Sequence, residues 1–198
     1  MSATLLAIGL TGAALQFVLT GQAAIDAERR PWPPDEITGR FGLYWLLVMS
    51  MAGSFFTLIA TTSGSLYPVG VVSILGGGAF VLGAAVNVLT ADEFEGPEEI
   101  LGLEWNHHAD GPFRFSRNPE VAGHAGAVAG LAVAAGSWQA MVLAGAIVGW
   151  FAVRPLAEEP VLAERYGDRY EDYRSRVGRY VDRERLSEAF GPCRNDCP

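Results

Sequence analysis

The chain has 198 residues, of which 50% are hydrophobic and only 18% charged, with a formal net charge of -8. All 14 basic residues are Arg and they form no basic tract, which excludes nucleic acid as a partner. No charge falls between Met1 and Ile25, between Phe41 and Ala91, or between Val121 and Val153, whereas a soluble domain scatters Arg and Glu along every exposed helix face.

Crossing a hydrocarbon core roughly 30 Å thick takes about 20 helical residues, so the first uncharged stretch holds one span, predicted at 3–24. No positive residue precedes this apolar run and the first Arg pair follows it, which argues for an uncleaved anchor with its N-terminus outside. The loop after it carries Arg29, Arg30 and Arg40, and Pro31-Trp32-Pro33-Pro34 stiffens it at the interface. Two spans follow, at 42–61 and 66–89, separated by the turn-forming Thr61-Thr62-Ser63-Gly64-Ser65. Gly76-Gly77-Gly78 in the third span lets another backbone approach closely, and helix packing is its default role.

The loop from Thr90 to Asp110 is acidic, as a solvated face is. Its Glu104-Trp105-Asn106-His107-His108-Ala109-Asp110 holds metal-ligand residue types, but adjacent histidines do not share a helix face, and no metal site is expected. The last apolar stretch overshoots a bilayer as one helix. A hairpin of spans 119–135 and 138–155 fits, turning at Ala135-Gly136-Ser137. With five spans every Arg-bearing segment shares one face, which the positive-inside rule makes cytoplasmic. Cys193 and Cys197 lie in a short polar tail, where two ligands alone make no zinc site. The expectation is therefore an all-α polytopic membrane protein of about five transmembrane helices, ending in a helical hairpin and a cytoplasmic tail helix. Residues 1–110 form the scaffold and acidic loop, 111–182 the chemistry-bearing region, and 183–198 the polar tail.

The fourth span opens with Gly111-Pro112-Phe113-Arg114-Phe115-Ser116-Arg117-Asn118-Pro119. Asn118 suits an N-cap, Pro119 the first helical turn, and Glu120 the positive helix end. Arg114 and Arg117 stand just before it, placed either to hold a carboxylate or phosphate or to anchor the helix among lipid headgroups. At the exit of the last span, Glu158 and Glu159 are adjacent carboxylates, costly near lipid. Tyr166, Tyr170, Tyr173 and Val177 then recur at helical spacing, a stripe suited to packing a tail helix back on the membrane domain.

G-P-F-R-F-S-R-N-P, the helical hairpin, E-E-P-x-L and R-Y-G-D-R-Y-E-D-Y-R-S-R-V resemble, over residues 111 to 180, the C-terminal half of the integral-membrane methyltransferases. That group contains the isoprenylcysteine carboxyl methyltransferases and the phospholipid N-methyltransferases. Its usual entrance is G-P-Y-R-Y-x-R-H-P-x-Y-x-G. Here Asn118 replaces the His and Val121 the Tyr, while Gly123 keeps the glycine. Asn-Pro together with Glu-Glu-Pro is similar to the phosphatidylethanolamine branch.

The resemblance implies a membrane-embedded enzyme that moves a methyl group from S-adenosylmethionine to a lipophilic acceptor, either a phospholipid amine or an isoprenylcysteine-like carboxylate. It implies a cofactor site drawn from Arg114, Arg117, Asn118, Pro119, Gly123, Glu158, Glu159 and Tyr170. Glu158 or Glu159 takes the donor's ammonium and Arg114 or Arg117 its carboxylate, while a carboxylate or His124 removes the proton of an amine acceptor. Glu159, Arg117 and His124 are the expected catalytic residues. A nicotinamide-dependent sterol-type reductase and a catalytically silent relative are the competing expectations, because membrane sterol reductases resemble the same C-terminal region.

Overall fold

The structure is a computed structural model that describes residues 1–26, 30–31, 37–68, 70–96, 99, 108–182 and 185–187. The helices are α1 (Ser2–Ile25), α2 (Gly39–Thr62), α3 (Val71–Ala91), a short 3-10 turn (Gly111–Arg114), α4 (Pro119–Ala135), α5 (Trp138–Tyr166) and α6 (Asp168–Arg176). Among the described residues there is no strand. Helices α1, α2, α3 and α5 are long and apolar enough to cross a membrane. The expected fifth span, α4, has 17 residues, or about 26 Å, the lower edge of what crosses a bilayer. Large apolar side chains lie uncovered along α3, with Ile74 73% and Leu82 71% exposed, as a lipid-facing helix requires.

Two turns meet at one end of the molecule. The backbone of the α2–α3 turn donates to that of the α4–α5 turn, from Gly64 to Ala135 and from Leu66 to Gly136, both at 2.8 Å. Thr62 and Ser137 share a hydroxyl hydrogen bond of 2.6 Å beside them, and the Tyr67 hydroxyl donates to the Val133 carbonyl. Gly136 closes α4 in the left-handed conformation, φ 59°, where a side chain is strained and a Cβ would crowd Tyr67. Because these turns lie together, the end of α1, the start of α2, the end of α3, the entrance of α4 and the exit of α5 all lie at the other end, where most of the described charged residues gather.

Helix α5 lies between α1 and α2 on one side and α4 on the other, and α3 packs on α4. Trp150, Leu143 and Ile147 of α5 form the core with Tyr44, Met51, Phe55 and Leu58 of α2. Two polar side chains within the spans find partners across helices: Gln16 Nε2 donates to the Tyr44 carbonyl at 2.8 Å, and Trp150 Nε1 to Thr20 Oγ1 at 3.1 Å.

The α3–α4 contact is backbone against backbone. A Cβ on Gly76 would lie 2.5 Å from the Ala134 nitrogen and 2.7 Å from the Gly130 carbonyl oxygen, and one on Gly83 would strike Ala127 and Gly123. Gly123 and Gly130 return the same contacts from α4. The glycine triplet thus packs helices through its first member alone; Gly77 and Gly78 meet nothing within 4 Å.

One boundary differs from expectation. The last span was predicted to stop at 155, but α5 runs on to Tyr166 through Pro155 and Pro160. Those prolines remove N–H donors from the Phe151 and Leu156 carbonyls, a loss that helices tolerate when neighbours restore partners. The extension carries the polar end of α5 past the apolar core and keeps Arg154 and Glu158 one turn apart, paired at 2.8 Å. The Pro-Trp-Pro-Pro loop beyond Pro31, Glu104 to His107, and both cysteines lie outside the described residues.

Substitution of Gly83 by Val should force α3 off α4 and destabilise the protein by about 1–3 kcal/mol, as overpacking does. Gly77→Ala, on the open face of the same helix, should be neutral or stabilising by up to about 1 kcal/mol. Thermal unfolding of both variants in one detergent checks the contrast.

Candidate active site

The site forms where the entrance of α4, the exit of α5 and the segment after α6 converge. Its centre is the Glu159 carboxylate, whose side chain is only 3% exposed. Arg179 holds both oxygens, Nε to Oε1 at 3.0 Å and Nη2 to Oε2 at 2.9 Å. Asn118 Nδ2 donates to Oε1 at 3.3 Å, and Arg117 Nη2 stands 3.5 Å from the same oxygen. A bidentate guanidinium and a second cation supply what a buried carboxylate needs.

Arg117 is itself sequestered, with 9% of its side chain exposed. Its Nε and Nη1 are buried and have no hydrogen-bond partner among the described residues. Unpaired buried donors are expensive, and on a guanidinium they present positive charge and directed N–H groups to an anion.

The segment from Gly178 to Asp182 lies across the α4 entrance as a strap. Arg117 N donates to the Gly178 carbonyl at 2.9 Å and Asp182 N to the Phe115 carbonyl at 2.8 Å. The Arg179 carbonyl accepts from Asn118 Nδ2 at 3.0 Å and Ser116 Oγ at 3.3 Å. Asn118 therefore does not cap α4 with its side chain, contrary to the sequence expectation. That amide is spent on the strap and on Glu159, and Ser116 Oγ takes up the Asn118 N–H instead, at 3.0 Å.

Behind the strap stands α6. Tyr170, Tyr173 and Val177 form a small apolar core with Leu162, Ala163 and Tyr166, the stripe seen in the sequence. The helix is broken from α5 at Gly167, φ 52°. The Tyr173 hydroxyl donates to the Phe113 carbonyl at 2.8 Å, so α6 buttresses the loop that bears Arg117. Burial raises the Tyr170 phenol to about 12, with Glu159 adding to the shift, and burial also raises Tyr173.

A second charged group sits on the neighbouring face of α5. Arg154 bridges Glu158 at 2.8 Å and Glu120 Oε1 at 3.2 Å, and its guanidinium lies 5.6 Å from the centre of the Phe151 ring. His124 stacks on Phe151 at 4.6 Å, with Nδ1 2.7 Å from the Glu120 carbonyl.

The sequence-predicted residues thus divide. Arg117, Asn118 and Glu159 meet in one cluster, with Pro119 buried beside them at the first turn of α4 and Tyr170 close behind. Glu158 turns to Arg154 and His124 joins that second group. Arg114 is exposed and takes part through its carbonyl, which accepts from Arg185 at 3.4 Å. Gly123 packs against Asn87 and Gly83 of α3. Arg179 and Arg154 were missed; the i,i+4 spacing of Arg154 and Glu158 could have pointed to the second, and no local signal pointed to the first. Among the described residues no group of His, Cys, Asp and Glu could hold a metal ion; His108 pairs with Glu99.

A family model described as phospholipid methyltransferase matches residues 69–169, from the start of α3 to the beginning of α6. The chain belongs to the phospholipid methyltransferase family. The match takes in Arg117, Asn118, Glu158 and Glu159, and the helical, membrane-spanning architecture accords with this family. Arg179 and the strap lie beyond its end. No curated protein and no solved structure matches the chain.

The Tyr170 shift sets an alkaline limit on stability. Its phenol titrates near 10 in the unfolded chain and about 12 in the folded one, so the stabilisation is complete below pH 10 and drains away as pH rises towards 12. With no lysine in the chain, tyrosines dominate titration in that window. Tyr170→Phe should flatten the fall of the melting temperature between pH 10 and 12, measured against the parent in the same detergent.

Proposed function

We propose that this protein transfers a methyl group from S-adenosylmethionine to the amine headgroup of a phospholipid. The observation that carries the reading is Arg117, a buried guanidinium with two unpartnered nitrogens beside the buried Glu159 carboxylate. An amino-acid end needs such a pair: cationic donors for its carboxylate and an anion for its ammonium. These residues fit the cofactor, and when bound it supplies an electrophilic methyl on a sulfonium.

Arg117 Nε and Nη1 would receive the donor's carboxylate. Glu159 would neutralise its ammonium, and Asn118 and the start of α4 would contribute neutral hydrogen bonds. Tyr170 and Tyr173 hold the tail helix against the site and exclude water. In-line displacement needs little beyond this positioning.

An amine acceptor must first give up the proton that blocks its lone pair. His124 is suited to take it: with Nδ1–H donated to the Glu120 carbonyl, Nε2 is the free acceptor of the ring. With that proton held on His124, the amine nitrogen would present its lone pair to the electrophilic methyl that the bound donor would supply. Glu120 and Glu158 draw the protonated headgroup towards this place, with Arg154 between them suited to the phosphate. The acyl chains remain in the bilayer. In this reading the charged end faces the cytoplasm and the N-terminus the opposite side, in accord with where the arginines lie.

Purified protein should bind S-adenosylmethionine and S-adenosylhomocysteine in calorimetry and add methyl groups to phosphatidylethanolamine vesicles, detected by lipid mass spectrometry. Arg117→Met should weaken S-adenosylhomocysteine by about 10- to 100-fold, the worth of a charge-assisted hydrogen-bonded pair. Binding of 5′-methylthioadenosine, which has no carboxylate, should stay unchanged. Binding of a reduced nicotinamide instead overturns the reading in favour of a reductase, and binding of neither favours a catalytically silent relative.

A further inference from the structure

Glu159 is enclosed by its partners. Of the about four lone-pair sites of a carboxylate, three take hydrogen bonds, Oε2 from Arg179 at 2.9 Å and Oε1 from Arg179 and Asn118 at 3.0 and 3.3 Å, with Arg117 3.5 Å from Oε1, and the 3% exposure of the side chain leaves no open approach to the fourth. An ammonium group brings three more donors. One of the present partners has to yield before such a group can reach the carboxylate, and the three differ sharply in how easily they do so.

Arg117 and Asn118 are buried at the entrance of α4, and turning either away leaves charge or amide without water or a partner. Arg179 is different. Its side chain is 36% exposed and lies on the strap, so its guanidinium rotates into solvent and is rehydrated. The strap itself need not move, because its backbone is pinned independently by Arg117 N, Ser116 Oγ, Asn118 Nδ2 and the Asp182 N–H bond to Phe115. Exchange of Arg179 for an ammonium also leaves the charge around Glu159 unchanged.

We infer that Arg179 is a self-inhibitory latch, a cation of the chain's own that holds the ammonium subsite on Glu159 and is displaced by the amino-acid end of the methyl donor. The inference rests on the proposed use of S-adenosylmethionine and adds to it a competition within the protein. The apparent affinity for the donor is lowered by the fraction of molecules with the latch closed. The penalty falls on ligands that carry the ammonium. A nucleoside that lacks the amino-acid end does not compete with Arg179 and pays nothing.

The test is calorimetry on the purified full chain with two probes, S-adenosylhomocysteine, which bears the ammonium, and 5′-methylthioadenosine, which does not. Arg179→Gln should tighten S-adenosylhomocysteine by about three- to tenfold, the range expected for release of a half-exposed bidentate pair, and leave 5′-methylthioadenosine where it was. Arg179→Lys keeps the charge but loses the fork and should fall between parent and Arg179→Gln, which also provides the readout if the glutamine variant does not fold. Equal or weaker S-adenosylhomocysteine binding in the folded variants, or a parallel change with both probes, overturns the latch and makes Arg179 a structural brace. Failure of the parent protein to bind S-adenosylhomocysteine at all is a different result: it defeats the proposed function and the latch with it.

Discussion

A buried carboxylate has to be paid for in cations and hydrogen bonds, and at Glu159 that demand brings together three segments at the charged end of the molecule. It draws Arg117 and Asn118 from the entrance of α4 and Arg179 from beyond α6 to a single side chain at the exit of α5. Three segments far apart in the chain are thereby held together. Loss of both cations would leave negative charge near an apolar medium, where compensation by water is poorest.

The remainder of the fold makes this convergence possible. Glycine faces on α3 and α4 bring those helices together without intervening side chains, which fixes the direction in which α4 leaves the membrane. The paired turns at the opposite end, tied by Gly64 and Leu66, force both hairpins to open towards the same side. Helix α5 then continues through its two prolines far enough to carry Glu158 and Glu159 out to that side. The apolar body and the charged end are consequently one construction, since each helix that crosses also aims a polar terminus.

Adjacent carboxylates on α5 serve two separate networks. Glu159 faces the strap and the unpartnered nitrogens of Arg117; Glu158 faces Arg154, Glu120 and the stacked His124 and Phe151. Neighbouring positions on a helix point about 100° apart, so a Glu-Glu pair can address two environments at once. In the transfer we propose, between a donor with an amino-acid end and an acceptor with a charged headgroup, such a division would supply one anion to each. Membership of the phospholipid methyltransferase family gives that arrangement its chemical sense.

The apolar stretches, their lengths and the clustering of Arg and Glu were enough to specify an all-helical membrane protein, because the hydrocarbon core accepts little else. The motif around Arg117, Asn118 and the Glu158–Glu159 pair likewise announced the family. Tertiary structure alone decided which arginine meets which carboxylate, that Asn118 bonds across the site in place of capping its helix, and that Gly123 serves packing against α3. Those outcomes depend on the rotation of each helix about its axis and on the path of the chain after α6. Both are set by contacts between segments distant in sequence, for which local spacing holds no signal, and Arg179 was invisible for that reason.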